Sequence, residues 1–137
     1  MFRSTSAGLT GLALLLIANI TAAVGLGEIK LFSTLNEPFH AEIRLHDVGN
    51  LNADEVIIAF ATPEEFSNKK LERHYFYNEF VFEVMLDDSE YPKVKITSHS
   101  VVREPFLEFI IESRWPSGRV QREYTVLLDK PAALDSH

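Results

Sequence analysis

The side chains able to do chemistry in this sequence are carboxylates, histidines and arginines, and their spacing argues against most catalytic uses. Five histidines, His40, His46, His74, His99 and His137, occur without an HxxxH or HxH spacing, so no single strand or helical turn brings two of them to one metal ion. They read as solvated surface residues. Asp87-Asp88-Ser89-Glu90 is acidic enough to suggest a calcium loop, yet it lacks the alternating ligands and the glycine that such a loop needs. Between two strands it reads as a polar hairpin turn. There is no GxSxG, no phosphate-cradling glycine loop and no pairing of a hydroxyl with a particular His and Asp. The absence of cysteine removes the thiolate nucleophile, the thiolate metal site, the disulfide and the lipid-bearing cysteine. No catalytic or metal residue is assigned, and no cofactor is expected. Glu108, Glu112 and Glu123 could meet across strands as an acid pair of the glycosidase kind. They fall on outward positions beside Arg114, Arg119 and Arg122, where cross-strand ion pairing on a solvated face accounts for them.

A second set of residues suits binding rather than catalysis. Arg103-Glu104-Pro105-Phe106 leads into an apolar strand ending at Trp115-Pro116-Ser117-Gly118-Arg119, and the chain returns through Arg122-Glu123-Tyr124. Arg103, Glu104, Phe106, Trp115, Arg119, Arg122 and Tyr124 are the candidate interaction surface, since an unpaired sheet edge can accept a partner strand. A purely structural account competes with it: Trp115 caps the core, Pro116 and Gly118 shape a turn, and the arginines pair with neighbouring glutamates.

The elements that must position these residues are strands. Phe80, Phe82, Val84 and Leu86 alternate with polar positions; so do Val94, Ile96 and Ser98 with Lys93, Lys95 and Thr97, and Ala41, Ile43 and Leu45 with Glu42, Arg44 and His46. Leu107, Phe109, Ile111, Ser113 and Trp115 face one way, and after the Pro-Ser-Gly turn Tyr124, Val126 and Leu128 continue the pattern as a hairpin. Residues 28–32 and 56–60 add two short strands. Gly25 and Gly27 precede the first and are read as backbone freedom. One helix is expected, where Thr62-Pro63-Glu64-Glu65-Phe66 supplies an N-cap, a proline at the first helical position and a glutamate at the third; Asn68-Lys69-Lys70 ends it. The fold class is all-β: an immunoglobulin-like antiparallel β-sandwich of about seven strands with one short connecting helix. A small closed barrel is the alternative, because alternation fixes inward faces but not closure. The inward set Phe60, Phe80, Phe82, Phe109, Trp115 and Tyr124 supplies the core.

Residues 1–23 differ from the rest. Arg3 gives a positive start, Leu14-Leu15-Leu16-Ile17 lies in an apolar stretch, and Thr21-Ala22-Ala23 offers small residues for cleavage, which together read as a secretory signal peptide cut after Ala23. The apolar stretch is shorter than the roughly 20 residues of a membrane-spanning helix, so an uncleaved inner-membrane anchor is the second choice and no stable span is expected once the signal is removed. Residues 24–131 form the β-sandwich domain and residues 132–137 a polar tail. The chain of 137 residues carries a net charge of −7, which disfavours nucleic acid, whose affinity comes from counterions displaced by basic residues.

Several blocks carry a family resemblance: Gly25-Leu26-Gly27-Glu28-Ile29, Leu35-Asn36-Glu37-Pro38-Phe39 with Ala41-Glu42-Ile43, Pro63-Glu64-Glu65-Phe66, Val101-Val102-Arg103-Glu104-Pro105-Phe106-Leu107, Trp115-Pro116-Ser117-Gly118-Arg119, and residues 122–129. In order and over nearly all of residues 24–131, the sequence resembles the N-terminal periplasmic domain of FimV-type pilus assembly proteins. The resemblance implies a non-enzymatic periplasmic scaffold or protein-interaction module of type IV pilus assembly, twitching motility and cell-pole organisation, with envelope proteins of the pilus or secretion machinery as partners. Binding of peptidoglycan glycan by the aromatics near Trp115 and Tyr124 is the alternative. Family members continue into a LysM module, a membrane span and cytoplasmic repeats. This sequence stops at Asp135-Ser136-His137, as a stand-alone secreted domain or as the front piece of a shortened or split scaffold, so the resemblance does not by itself carry those roles over to it.

Overall fold

In a computed structural model, which describes residues 23–87 and 90–131, the chain forms seven strands and one α-helix: β1 (Gly25–Leu31), β2 (Pro38–His46), β3 (Ile57–Phe60), α1 (Pro63–Asn68), β4 (Phe80–Met85), β5 (Lys93–Val101), β6 (Phe106–Trp115) and β7 (Gly118–Leu127). The proposed signal peptide apart from Ala23, Asp88 and Ser89 of the acidic turn, and the 132–137 tail with His137 lie outside the described residues. Every pairing is antiparallel, giving one sheet in the order β1-β2-β5-β4 and a second in the order β3-β6-β7. That is the strand order of a constant-type immunoglobulin sandwich. The barrel alternative is corrected, since β3 and β4 remain separate sheet edges.

The two sheets meet because alternation gives each an apolar inner face. Ala41, Ile43, Leu45, Val94 and Ile96 from the four-stranded sheet face Ile58, Leu107, Phe109, Ile111, Tyr124 and Val126 from the other, all buried. Antibody domains centre this space on a cystine and a tryptophan; here an aromatic cluster fills it. The Phe60 ring lies 4.8 Å from Tyr77, 5.0 Å from Phe82, 5.3 Å from Phe109 and 5.6 Å from Phe80, in stacked, tilted and edge-on arrangements. Each such contact adds about 0.5–1.5 kcal/mol beyond burial, which explains how the domain dispenses with a disulfide. Tyr77 comes from a 3-10 turn, Tyr75–Glu79, that strand alternation does not announce. Its ring is fully buried and its hydroxyl donates to the Glu108 carbonyl (3.0 Å).

The outer faces differ. On the four-stranded sheet Lys30, Glu42, Lys95 and Glu83 are successive cross-strand neighbours, so charge alternates across all four strands and each pair is favourable. On the three-stranded sheet α1 lies against the outer surface. Thr62 Oγ1 accepts from the Glu65 amide and the Glu65 carboxylate accepts from the Thr62 amide, closing the expected capping box around a proline at the start of the helix. Ile110, outward by alternation, is nonetheless buried.

Gly25 and Gly27 lie within β1 rather than before it, which corrects their reading as flexible residues. The β1–β2 register shifts between Leu26 and Ile29, and the chain passes so close to β2 that a Cβ on Gly27 would sit 2.9 Å from the Arg44 carbonyl oxygen. Space, not a left-handed backbone, is what Gly27 supplies.

Candidate interaction face

The seven residues of the expected surface fall at three separate places. Phe106 pairs with Leu127 at one end of the β6–β7 hairpin and Trp115 with Gly118 at the other; nine residue steps of extended chain put these ends about 30 Å apart. Arg103 and Glu104 are exposed at the Phe106 end, and Arg119 is exposed at the Trp115 end. The seven residues therefore do not share one continuous surface.

Arg122 and Tyr124 form the third group, and they serve the fold. Where the bulge in β1 interrupts pairing with β2, the Tyr124 hydroxyl donates to the Gly27 carbonyl (2.7 Å) and Arg122 Nη1 donates to the Leu26 carbonyl (2.9 Å). Arg122 Nη2 also reaches Glu28 (3.4 Å). These side chains clasp β7 to β1 across the seam between sheets. Tyr124 is only 5 % exposed, so it cannot offer its ring to a glycan. Burial pushes its pKa up to about 12, opposed by Arg122 and reinforced by Glu28.

At the Trp115 end the indole lies against Gly118, where an added Cβ would come within 3.0 Å of the ring, and Ile57 stands exposed beside Arg114 and Pro116. Between this end and α1 runs an open groove of about 390 Å³, walled by Ile57, Ala59, Glu65, Glu112, Arg114 and Arg119. Its polar groups neutralise one another. Arg119 Nη1 and Gln121 Nε2 both donate to Glu112 Oε1 (3.1 and 2.8 Å), Arg114 Nε lies 3.1 Å from Glu112 Oε2, and Gln121 Nε2 also donates to Glu65 Oε2 (2.7 Å). The Thr62 amide first, then Gln121, hold the Glu65 carboxyl below the usual carboxylate range. Glu65 thus stays ionised near neutral pH, the opposite of what a general acid needs.

The remaining carboxylates of the acid-pair reading do not converge. Glu123 pairs with Lys69 (3.1 Å), and Glu108 is separated from Glu112 by four residues along β6, about 13 Å. Among the described residues no group of three His, Asp or Glu could hold a metal ion. His74 Nδ1 lies 3.6 Å from Glu72, beside Glu104 and Glu108.

The sequence reading missed Glu65, Gln121, Ile57 and Leu127 as parts of this face. Leu127 had a signal, because in the Leu127-Leu128 pair only one leucine can point inward. The Glu65–Gln121 contact joins residues 56 apart in sequence, and no local pattern encodes it.

A family model described as the FimV N-terminal domain, an Ig-like domain, matches residues 24–131. The chain belongs to this family. Two curated FimV relatives, each named motility hub protein FimV and coming from Pseudomonas aeruginosa strains PAO1 and UCBPP-PA14, are 42% identical over 119 residues. The alignment covers 87% of this chain and 13% of each relative, so the chain spans a small part of their length. No solved structure matches it. The Ig-like description of the FimV domain agrees with the β1-β2-β5-β4 and β3-β6-β7 sheets, and the family blocks read from the sequence map onto its framework: Gly27 at the bulge, Pro63 to Phe66 in α1, and Trp115 to Arg119 at the hairpin turn.

Proposed function

We infer that the protein is a non-enzymatic interaction module of type IV pilus assembly and twitching motility, acting in the periplasm after removal of residues 1–23. The observation that carries this reading is the match of residues 24–131 to the FimV N-terminal domain, together with 42% identity to proteins named motility hubs. The structure supports a binding role: a rigid aromatic core holds two polar sheets, and the outer surface of β3-β6-β7 bears an open groove and exposed apolar residues at both ends. The partners on this reading are envelope proteins of the pilus or secretion machinery.

The test is replacement of the corresponding N-terminal domain of the Pseudomonas relative by residues 24–131 of this chain. Restored twitching zones support the reading. A stable, exported chimaera that leaves twitching absent overturns it. Co-sedimentation of the protein with purified sacculi addresses the glycan alternative, which predicts recovery in the pellet; the interaction module stays in the supernatant.

A further inference from the structure

At the Phe106 end of the hairpin the outer face of the three-stranded sheet changes character. Phe106 is 49 % exposed and its cross-strand neighbour Leu127 is 62 % exposed, an apolar pair on the solvent side of the last rung of the sheet. No helix covers it, since α1 is anchored further along through Glu65 to Gln121 and Lys69 to Glu123. Beside Phe106 lies a hollow of about 150 Å³ lined by Glu72, His74, Glu104, Phe106 and Glu108.

The lining of this hollow holds three carboxylates and one histidine and no Lys or Arg, although Arg103 is exposed at the same end. Glu65, Glu112 and Glu123 all sit against cations or amides of the same domain. The carboxylates of Glu104 and Glu108 have no ion-pair or hydrogen-bond partner among the described residues, and Glu72 has only His74. Tyr77 lies close to all three: burial first, then Glu108, Glu72 and Glu104, raise its pKa, and Arg73 opposes them. Three carboxylates around a recess, next to an exposed aromatic face, suit an ammonium or guanidinium group whose apolar stem or neighbour lies on Phe106 and Leu127.

We propose that the Phe106–Leu127 pair and the Glu72–Glu104–Glu108 recess form a docking surface for a partner-protein segment carrying Lys or Arg next to a large apolar residue. The occupant follows from charge complementarity: the apolar pair favours an apolar side chain, and the unpaired carboxylates repel acidic segments while selecting a basic one. The proposal deepens the interaction-module reading and rests on it.

The experiment titrates the isotope-labelled protein with a capped Leu-Lys-Leu-Lys-Leu peptide and its Leu-Glu-Leu-Glu-Leu counterpart, following backbone amide resonances. The lysine peptide is expected to shift the amides of residues 72–74, 104, 106–108 and 125–127, and raising NaCl from about 50 to about 300 mM weakens it. The double variant Glu104→Gln/Glu108→Gln, whose side chains are exposed and hold no partner, weakens binding about tenfold; Phe106→Ser weakens it by a similar factor. Glu83→Gln on the opposite sheet leaves it unchanged. Shifts spread over the Lys30–Glu83 face, equal binding of the glutamate peptide, or indifference to Glu104→Gln/Glu108→Gln overturns the proposal. If these fail while the chimaera still restores twitching, the docking surface is wrong and the interaction-module reading stands; loss of twitching with the chimaera removes the reading itself.

Discussion

Single side chains decide the most delicate contacts of this domain. Tyr124→Phe removes one hydroxyl and leaves the Gly27 carbonyl without its donor; the expected loss is about 1–2 kcal/mol in urea unfolding. The same hydroxyl gives an alkaline limit. Burial pushes its pKa up from the ordinary 10 to about 12, so its stabilisation is complete below pH 10 and is lost as pH rises toward 12. Tyr124→Phe should therefore flatten the fall in stability over that window, measured by urea midpoints between about pH 9 and about pH 12. Gly27→Ala drives a methyl group onto the His46 ring and the Arg44 carbonyl oxygen and should cost about 1–3 kcal/mol, whereas Gly25→Ala, whose nearest contact is 3.6 Å, should be nearly neutral. Ser113 gives the opposite sign. Its hydroxyl is fully buried and has no hydrogen-bond partner among the described residues, so Ser113→Ala should stabilise the domain by about 1 kcal/mol.

Among the elements, α1 depends on its first turn and on long-range contacts from Glu65 to Gln121 and from Lys69 to Glu123. The capping box and Pro63 set where it starts, as the order Thr-Pro-Glu-Glu announced, but Gln121 on β7 fixes where it lies. Thr62→Ala should cost about 1 kcal/mol. Because the Glu65 carboxyl is held below its ordinary value of 4.5, its contribution is present above that pH and declines as pH falls through the lowered value. Glu65→Gln should therefore reduce the acid sensitivity of the helix, read from amide exchange of residues 64–69 between about pH 3 and about pH 6. The strands were legible for a simple reason. With period two, an apolar residue at every second position permits only one buried face, and Leu107, Phe109, Ile111 and Ser113 occupy it as read. The 3-10 turn that inserts Tyr77 was not legible, since its burial comes from Phe60 and Phe109 on distant strands.

For the whole molecule, the sandwich separates its surfaces. One outer face is a ladder of alternating charge, the other a groove and two apolar ends, and the seam carries the Arg122–Tyr124 clasp. The ends of the β6–β7 hairpin lie beyond direct contact, so Phe106→Ala and Trp115→Ala should change unfolding free energy additively, within about 0.5 kcal/mol, in a double-mutant cycle. Strong coupling would mean that the ends communicate through the core. Among the described residues no helix is long and apolar enough to cross a membrane.

Sequence by itself determined the seven strands, the capped helix, the inward faces of β2, β4, β5, β6 and β7 and the family blocks, because these follow from spacing within a few residues. Only the tertiary structure decided that Tyr124 and Arg122 bind the β1 carbonyls, that Glu65 meets Gln121, and that Phe106 and Trp115 lie at opposite ends. Such contacts join residues tens of positions apart, and their partners are chosen by how two twisted sheets pack, which no local periodicity specifies.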